Sequence, residues 1–388
     1  MRWFLCLLLT SLMGIETVHI TSAQAYDSYF WETQVVRDIP ASAVQRHIDE
    51  LQEQVSMILD RGPLSSLRLN YSDQLDDAYW LYKERGRIIT TLSFAYPYLT
   101  SDQQVRVRQY VRTSLADGSE AVWTTPLKAP GEGVERNLHG YMVLEGRFDF
   151  NLGSLSTYFH VLYGLWLYGY KTSDWQTVQQ YWDQIVTFYQ ENKDNRILYG
   201  QLSGHIGMLR LAQQFGDYDM ERTVIEDLTE ELDTGLEISA VERRISSTKY
   251  ARFYEDRNAY YFPGQPWMFL DATPEIWRYL NDRLQTEVSE RITQFERFYP
   301  HWWLAQQPSF TRWTGDESTG LTSETFGMVF PYKRWIEGTS PEQLSRYMRS
   351  IPTGYGDSYW LEALVTTIEA YGSVCWVDVR TNQEVSCY

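Results

Sequence analysis

Three stretches of the sequence concentrate side chains able to move protons or hold charge. The first runs Arg136-Asn137-Leu138-His139-Gly140-Tyr141 and continues through Glu145-Gly146-Arg147-Phe148-Asp149-Phe150-Asn151. The second is Tyr254-Glu255-Asp256-Arg257-Asn258, with Tyr260 and Tyr261 just beyond; the third joins His301-Trp302-Trp303 to Trp313 and Asp316-Glu317. Carboxyl groups from separate stretches suit acid–base hydrolysis, in which one is protonated and one ionised across a scissile bond. Glu145, Asp149, Asp256 and Glu317 are the candidates for that work. A second chemistry, proton abstraction, uses a Tyr or His base, with Asn or Arg neutralising the anion formed. Flat rings and hydrogen-bonding groups nearby are candidate substrate contacts: Tyr141, Arg147, Asn151, His205, Tyr260, Tyr261, Trp302, Trp303 and Trp313. Adjacent indoles at 302 and 303 cannot both point inward from one helix or strand, so at least one is expected on the loop face.

These stretches need a scaffold, and the pattern around them is helical. Apolar residues at helical spacing predict helices over 43–59, 75–96, 103–115, 155–170, 175–190, 203–215, 218–232, 267–280, 283–298, 324–336, 342–348 and 357–371. Pro97 is expected to stop one of them. Ser101-Asp102 and Ser173-Asp174 read as caps, Gly216-Asp217 as a turn, and Gly338 as a stop. Strand-like alternation is short, as in 374–379. Tight turns thus alternate with long links, near 60–74, 116–154, 233–265 and 299–323. In a closed ring of antiparallel hairpins the long links would share one face, where a binding site belongs. His160 and the run Tyr163, Trp166, Tyr168 and Tyr170 are expected in the core, and His47 at the half-solvated border of its helix.

Six hairpins of this kind resemble the (α/α)6-toroid carbohydrate enzymes, both the six-hairpin glycosidases and the toroidal polysaccharide lyases. The hairpin running from Leu162-Tyr163-Gly164-Leu165-Trp166 to Ser173-Asp174-Trp175 and the helix opening His205-Ile206-Gly207-Met208 carry the resemblance. It implies an all-α fold with the N-terminal helix closing the ring and minor short strands near the C-terminus. It also implies a poly- or oligosaccharide substrate, cleaved by hydrolysis at the carboxylates above. The lyase alternative would use Asn137, His139, Tyr254 and Arg257 on a uronate, although Asn-x-His departs from the adjacent Asn-His of some such lyases. A non-catalytic glycan-binding ring is the third possibility. Terpene-cyclase-like toroids need an Asp-rich metal motif, whereas Asp76-Asp77 is followed by Ala-Tyr-Trp.

Composition narrows the classes further. The 388 residues carry 51 Asp+Glu against 34 Lys+Arg, a net charge of −17, which opposes nucleic acid or an anionic membrane as partner. Tyr (29) and Trp (15) together far outnumber Phe (16), more polar-edged rings than packing alone requires. Arg2, the apolar run 3–13 and Ala23-Gln24-Ala25 form the layout of a secretory leader over residues 1–25, leaving 26–388 as one catalytic domain, secreted or periplasmic. Cys375 and Cys387, the two cysteines beyond that leader, are expected to pair. No His-Glu-x-x-His, Cys-x-x-Cys, phosphate-loop or G-x-S-x-G pattern occurs, so no cofactor, metal or serine nucleophile is called for.

Overall fold

A computed structural model describes residues 32–61, 85–116, 159–193, 201–235, 272–278, 329–350, 358–378 and 383–387, with the single positions 281, 289, 327 and 381. Helices make up 78% of the described residues, and the few strands are short, which sets the class as mostly α. In chain order the elements are β1 (Glu32–Arg37), α1 (Ala41–Arg61), α2 (Arg85–Ala95), a 3-10 turn (Tyr96–Tyr98), α3 (Ser101–Ala116), α4 (Val161–Thr172), α5 (Trp175–Gln179) and α6 (Trp182–Asn192). They continue as α7 (Gln201–Phe215), α8 (Tyr218–Gly235), α9 (274–278), α10 (329–335), α11 (Pro341–Ser350), α12 (Ser358–Ala370), β2 (Ser373–Asp378) and β3 (Gln383–Cys387).

Local chemistry sets these boundaries. Thr100 and Gln103 cap α3 reciprocally: the Gln103 N–H donates to Thr100 Oγ1 at 3.3 Å, and the Thr100 N–H donates to Gln103 Oε1 at 3.0 Å. Ser340 and Gln343 repeat the device at α11. Asp217 accepts from the Met220 N–H at 3.0 Å to start α8, and Gly216 supplies the positive φ of 72° that ends α7. Two caps differ from expectation. The α3 cap is Thr100, one residue before Ser101-Asp102, and Asp174 makes no cap bond. Its carboxylate is taken instead by Arg112 and the Tyr168 hydroxyl, at 2.8 and 2.6 Å. Pro97 lies within the 3-10 turn, so the chain coils once more before turning. The helix expected over 175–190 is broken at Gln180–Tyr181, where the Tyr181 N–H donates only three residues back, to Val178.

Packing follows the apolar faces. Helix α4 is buried on nearly every side because it lies between α2 and α7, and α2 in turn lies against α12. Close approach of α7 to α4 depends on Gly207, where a Cβ would overlap the backbone of Leu162 and Tyr163. Helix α8 pairs with α7, α11 with α12, and α1 rests on both α12 and α3. One core surrounds α4 and α7 and reaches Trp277 and Tyr332; the other joins α1, α2, α3, α11 and α12, and Phe94 packs against both. His47 is buried within the second, with Nε2 3.3 Å from Ser345 Oγ, where a half-solvated position was expected. Ser345 of α11 reaches His47 of α1 there.

The sheet has the order β1-β2-β3, both pairings antiparallel. Its register sets Glu32 opposite Asp378 and Cys375 opposite Cys387, and a disulfide joins those two cysteines. Strand β1 is an addition to the elements read from sequence, and it pairs with residues from the far end of the chain.

Candidate active-site cavity

A polar row on an otherwise apolar helix builds the described cavity. In α12, Glu362, Thr366 and Glu369 recur at i, i+4 and i+7, which places them on one face. Together with Tyr359 they line a small pocket. Helix α2 adds Phe94, the start of α4 adds His160 and Tyr163, α9 adds Trp277, and α10 adds Phe330 and Trp335. Gln34 reaches in from β1. Rings therefore form much of the wall, while the two carboxylates come from a single helix.

The two carboxylates have different surroundings. Glu362 is half-buried and accepts the Thr91 hydroxyl at 2.8 Å. Glu369 is buried and accepts from Tyr98 Oη and Gln34 Nε2, each at 3.2 Å. Burial raises the Glu369 carboxyl above the usual carboxylate range, against the opposing pull of Lys171, the Tyr98 hydroxyl and Arg334. The same burial, reinforced by Glu369, raises the Tyr98 hydroxyl. Among the described lining residues none is Lys or Arg.

A second carboxylate system lies just behind the wall. Glu275, 2% exposed, sits 3.3 Å from Arg210 Nη2 and accepts the Tyr163 hydroxyl at 3.3 Å. The Arg210 guanidinium also lies over the Trp166 ring, 4.6 Å from its centroid. Tyr163 thus touches both systems, with its ring in the cavity wall and its hydroxyl on Glu275. The sheet braces the opposite side: Trp376 of β2 packs on Trp335 with centroids 6.0 Å apart, and Arg278 lies over Trp376.

Of the candidate site residues and the expected cysteine pair, His205 and both cysteines are described. His205 is fully enclosed, with Nδ1 2.9 Å from Tyr189 Oη and its ring edge-on to Phe159. Burial lowers it to about pKa 4, against the opposing pull of Asp227. It is not among the residues lining the described cavity. Asn137, His139, Tyr141, Glu145, Arg147, Asp149, Asn151, Tyr254, Asp256, Arg257, Tyr260, Tyr261, Trp302, Trp303, Trp313 and Glu317 lie outside the described residues. His160 is buried and bonded to Ser203 at 2.7 Å, as a core histidine should be, yet it also borders the cavity.

Sequence reasoning passed over Glu362, Glu369 and Glu275. The signal for the first two was available: two glutamates seven residues apart, with Thr366 between them, on a helix of Leu, Ala, Val and Ile. Compared with family models, curated proteins and solved structures, the chain matches none.

Proposed function

We propose that the chain is a carbohydrate-active enzyme of (α/α)6-toroid form that hydrolyses glycosidic bonds of a poly- or oligosaccharide. The observation that carries this reading is the cavity, with rings on several helices and two carboxylates on one. Indole and phenol faces suit the apolar faces of a sugar ring, and carboxylates and hydroxyls suit its OH groups. The side-by-side order α12, α2, α4, α7 supports the ring, and α1 against α12 is the neighbour such a ring requires. In this reading Glu145, Asp149, Asp256 and Glu317 serve as acid and base. Export through the leader at residues 1–25 belongs to the same reading, and the disulfide is compatible with it.

Hydrolysis is put before elimination because the described lining offers carboxyl groups, the groups that acid–base hydrolysis uses. Incubating the full chain with neutral and uronate-containing polysaccharides separates the two. New reducing ends without ultraviolet absorbance are expected; an absorbing unsaturated product would replace hydrolysis with elimination. Binding with neither signal would leave a glycan-binding ring. Glu145→Gln should abolish turnover with the fold intact, and full activity in that variant would remove Glu145 from the acid–base pair.

A further inference from the structure

Helix α11 has a small buried face, yet it stands behind the cavity. Leu344 and Met348 are its buried apolar residues, whereas α4 is enclosed along nearly its whole length. A helix docked on so few apolar side chains opens more cheaply than the core beside it. The Tyr347 ring packs on Phe330 with centroids 6.5 Å apart, and the Thr367 hydroxyl donates to Met348 Sδ at 4.0 Å. Phe330 and Thr366, the neighbour of Thr367, line the cavity. Docking of α11 therefore supports both α10 and α12 from behind.

A histidine makes the polar contact between α11 and α1. His47 is 5% exposed, with Nε2 3.3 Å from Ser345 Oγ and a buried Nδ1 that has no hydrogen-bond partner among the described residues. A neutral imidazole tolerates this, because one of its nitrogens carries no proton. An imidazolium carries N–H on both, so one donor would be buried without an acceptor. Burial holds the ring below its usual 6.5; Arg349 of α11 and Arg46 of α1 push the same way, and Glu50 of α1 opposes them. Glu50 is itself taken by Gln54 and by Trp360 of α12, at 3.2 and 3.0 Å. Asp49 of α1 accepts from Gln45, and Glu342 of α11 acts with Arg349 on Tyr371.

We propose that α11 is an acid-released strut: proton uptake by His47 undocks α11 from α1 and loosens the cavity wall formed by Phe330 and α12. The proton is accommodated once the imidazole reaches water, and undocking also carries Arg349 away from it. Docking is at full strength above about pH 6.5 and weakens as pH falls toward the lower folded value. The device is independent of what the cavity binds.

Hydrogen–deuterium exchange of the full chain, read as protection factors between about pH 8 and about pH 5, tests this. Protection over 341–350 should be level above about pH 6.5 and fall by up to about tenfold per pH unit below it, one proton being taken up on opening. Residues 329–335 and 358–370 should follow with a smaller loss. His47→Gln, which stays neutral and keeps a polar partner for Ser345, should abolish the fall over 341–350. Arg349→Gln, an exposed change that leaves His47 in place, should end the fall at a higher pH and so shrink the total loss. That variant decides the matter if His47→Gln does not fold. Protection that stays level across the range, or that falls equally in His47→Gln and wild type, would overturn the proposal. A fall confined to 341–350, with 358–370 unmoved, would overturn the link to the cavity wall.

Discussion

Glu275 and Glu369 are both buried carboxylates, yet they are stabilised in opposite ways. Glu275 faces a guanidinium held in place by Trp166 and accepts a phenol, so its charge is matched within the fold. Glu369 accepts from a phenol and an amide, while Lys171 and Arg334 act on it without a direct bond. The first glutamate is a structural joint between α7 and α9. The second keeps an incompletely matched charge beside a cavity. Proximity to the cavity, more than burial, separates the two, since a wall facing a ligand cannot be filled with the cation that would neutralise it.

The widest gap between the two should appear on removing a partner. Arg210→Met leaves Glu275 buried without its cation and is expected to cost about 3–5 kcal/mol in denaturant unfolding. Adding Glu275→Leu should recover most of that loss; failure to recover would mean that the pair also fixes the wall through Tyr163. His205 provides a pH-dependent contrast. Its folded pKa of about 4 lies below the ordinary 6.5, so the unfolded chain binds the extra proton between those values. Stability should therefore fall by about 3 kcal/mol as pH drops from 6.5 to 4, and His205→Gln should flatten that limb relative to wild type.

The disulfide belongs to the Glu369 side of the comparison, because its sheet carries Gln34. Cys387→Ser should lower stability by about 2–3 kcal/mol. Combined with Arg210→Met the losses should add, and a coupling above about 0.5 kcal/mol would show that the two systems are mechanically linked. The smallest effect is at Glu369 itself. Its raised folded pKa means that the native state binds the proton more tightly, so its contribution is full at low pH and is lost as pH rises through that pKa. Glu369→Gln should then raise stability at pH 7 by up to about 1 kcal/mol, with no gain at pH 4. A loss at pH 7 would mean that the carboxylate is needed by Tyr98 and Gln34 as a charged acceptor.

Periodicity located most of the helices because each buries one stripe, and a stripe at 3.6-residue spacing survives in the sequence. The bounds of α7, α8 and α12 fall within three residues of those read from the pattern. What periodicity does not encode is pairing between distant segments. Strand β1 is six residues whose partner lies at the other end of the chain, and nothing local in Glu-Thr-Gln-Val-Val-Arg announces it. The cavity glutamates were missed for a related reason. The sequence candidates come from polar stretches between predicted helices, while Glu362 and Glu369 sit inside an apolar helix, where a charge is more informative than in a loop. His47 shows the reverse error: the edge of its own stripe looked wet because α11, which covers it, is nearly three hundred residues away.

The β1–β2 pairing also constrains when the molecule can be completed. Arg37 must wait for Ser373, so the long segment between them is synthesised before that ladder can form. At ordinary elongation rates of about 5–20 residues per second, the first strand stays without its partner for tens of seconds. Gln34 cannot reach Glu369 until that residue is made, and the disulfide waits for Cys387. This side of the cavity therefore depends on segments far apart in sequence, and a chain truncated before β2 would lack the brace behind Trp335.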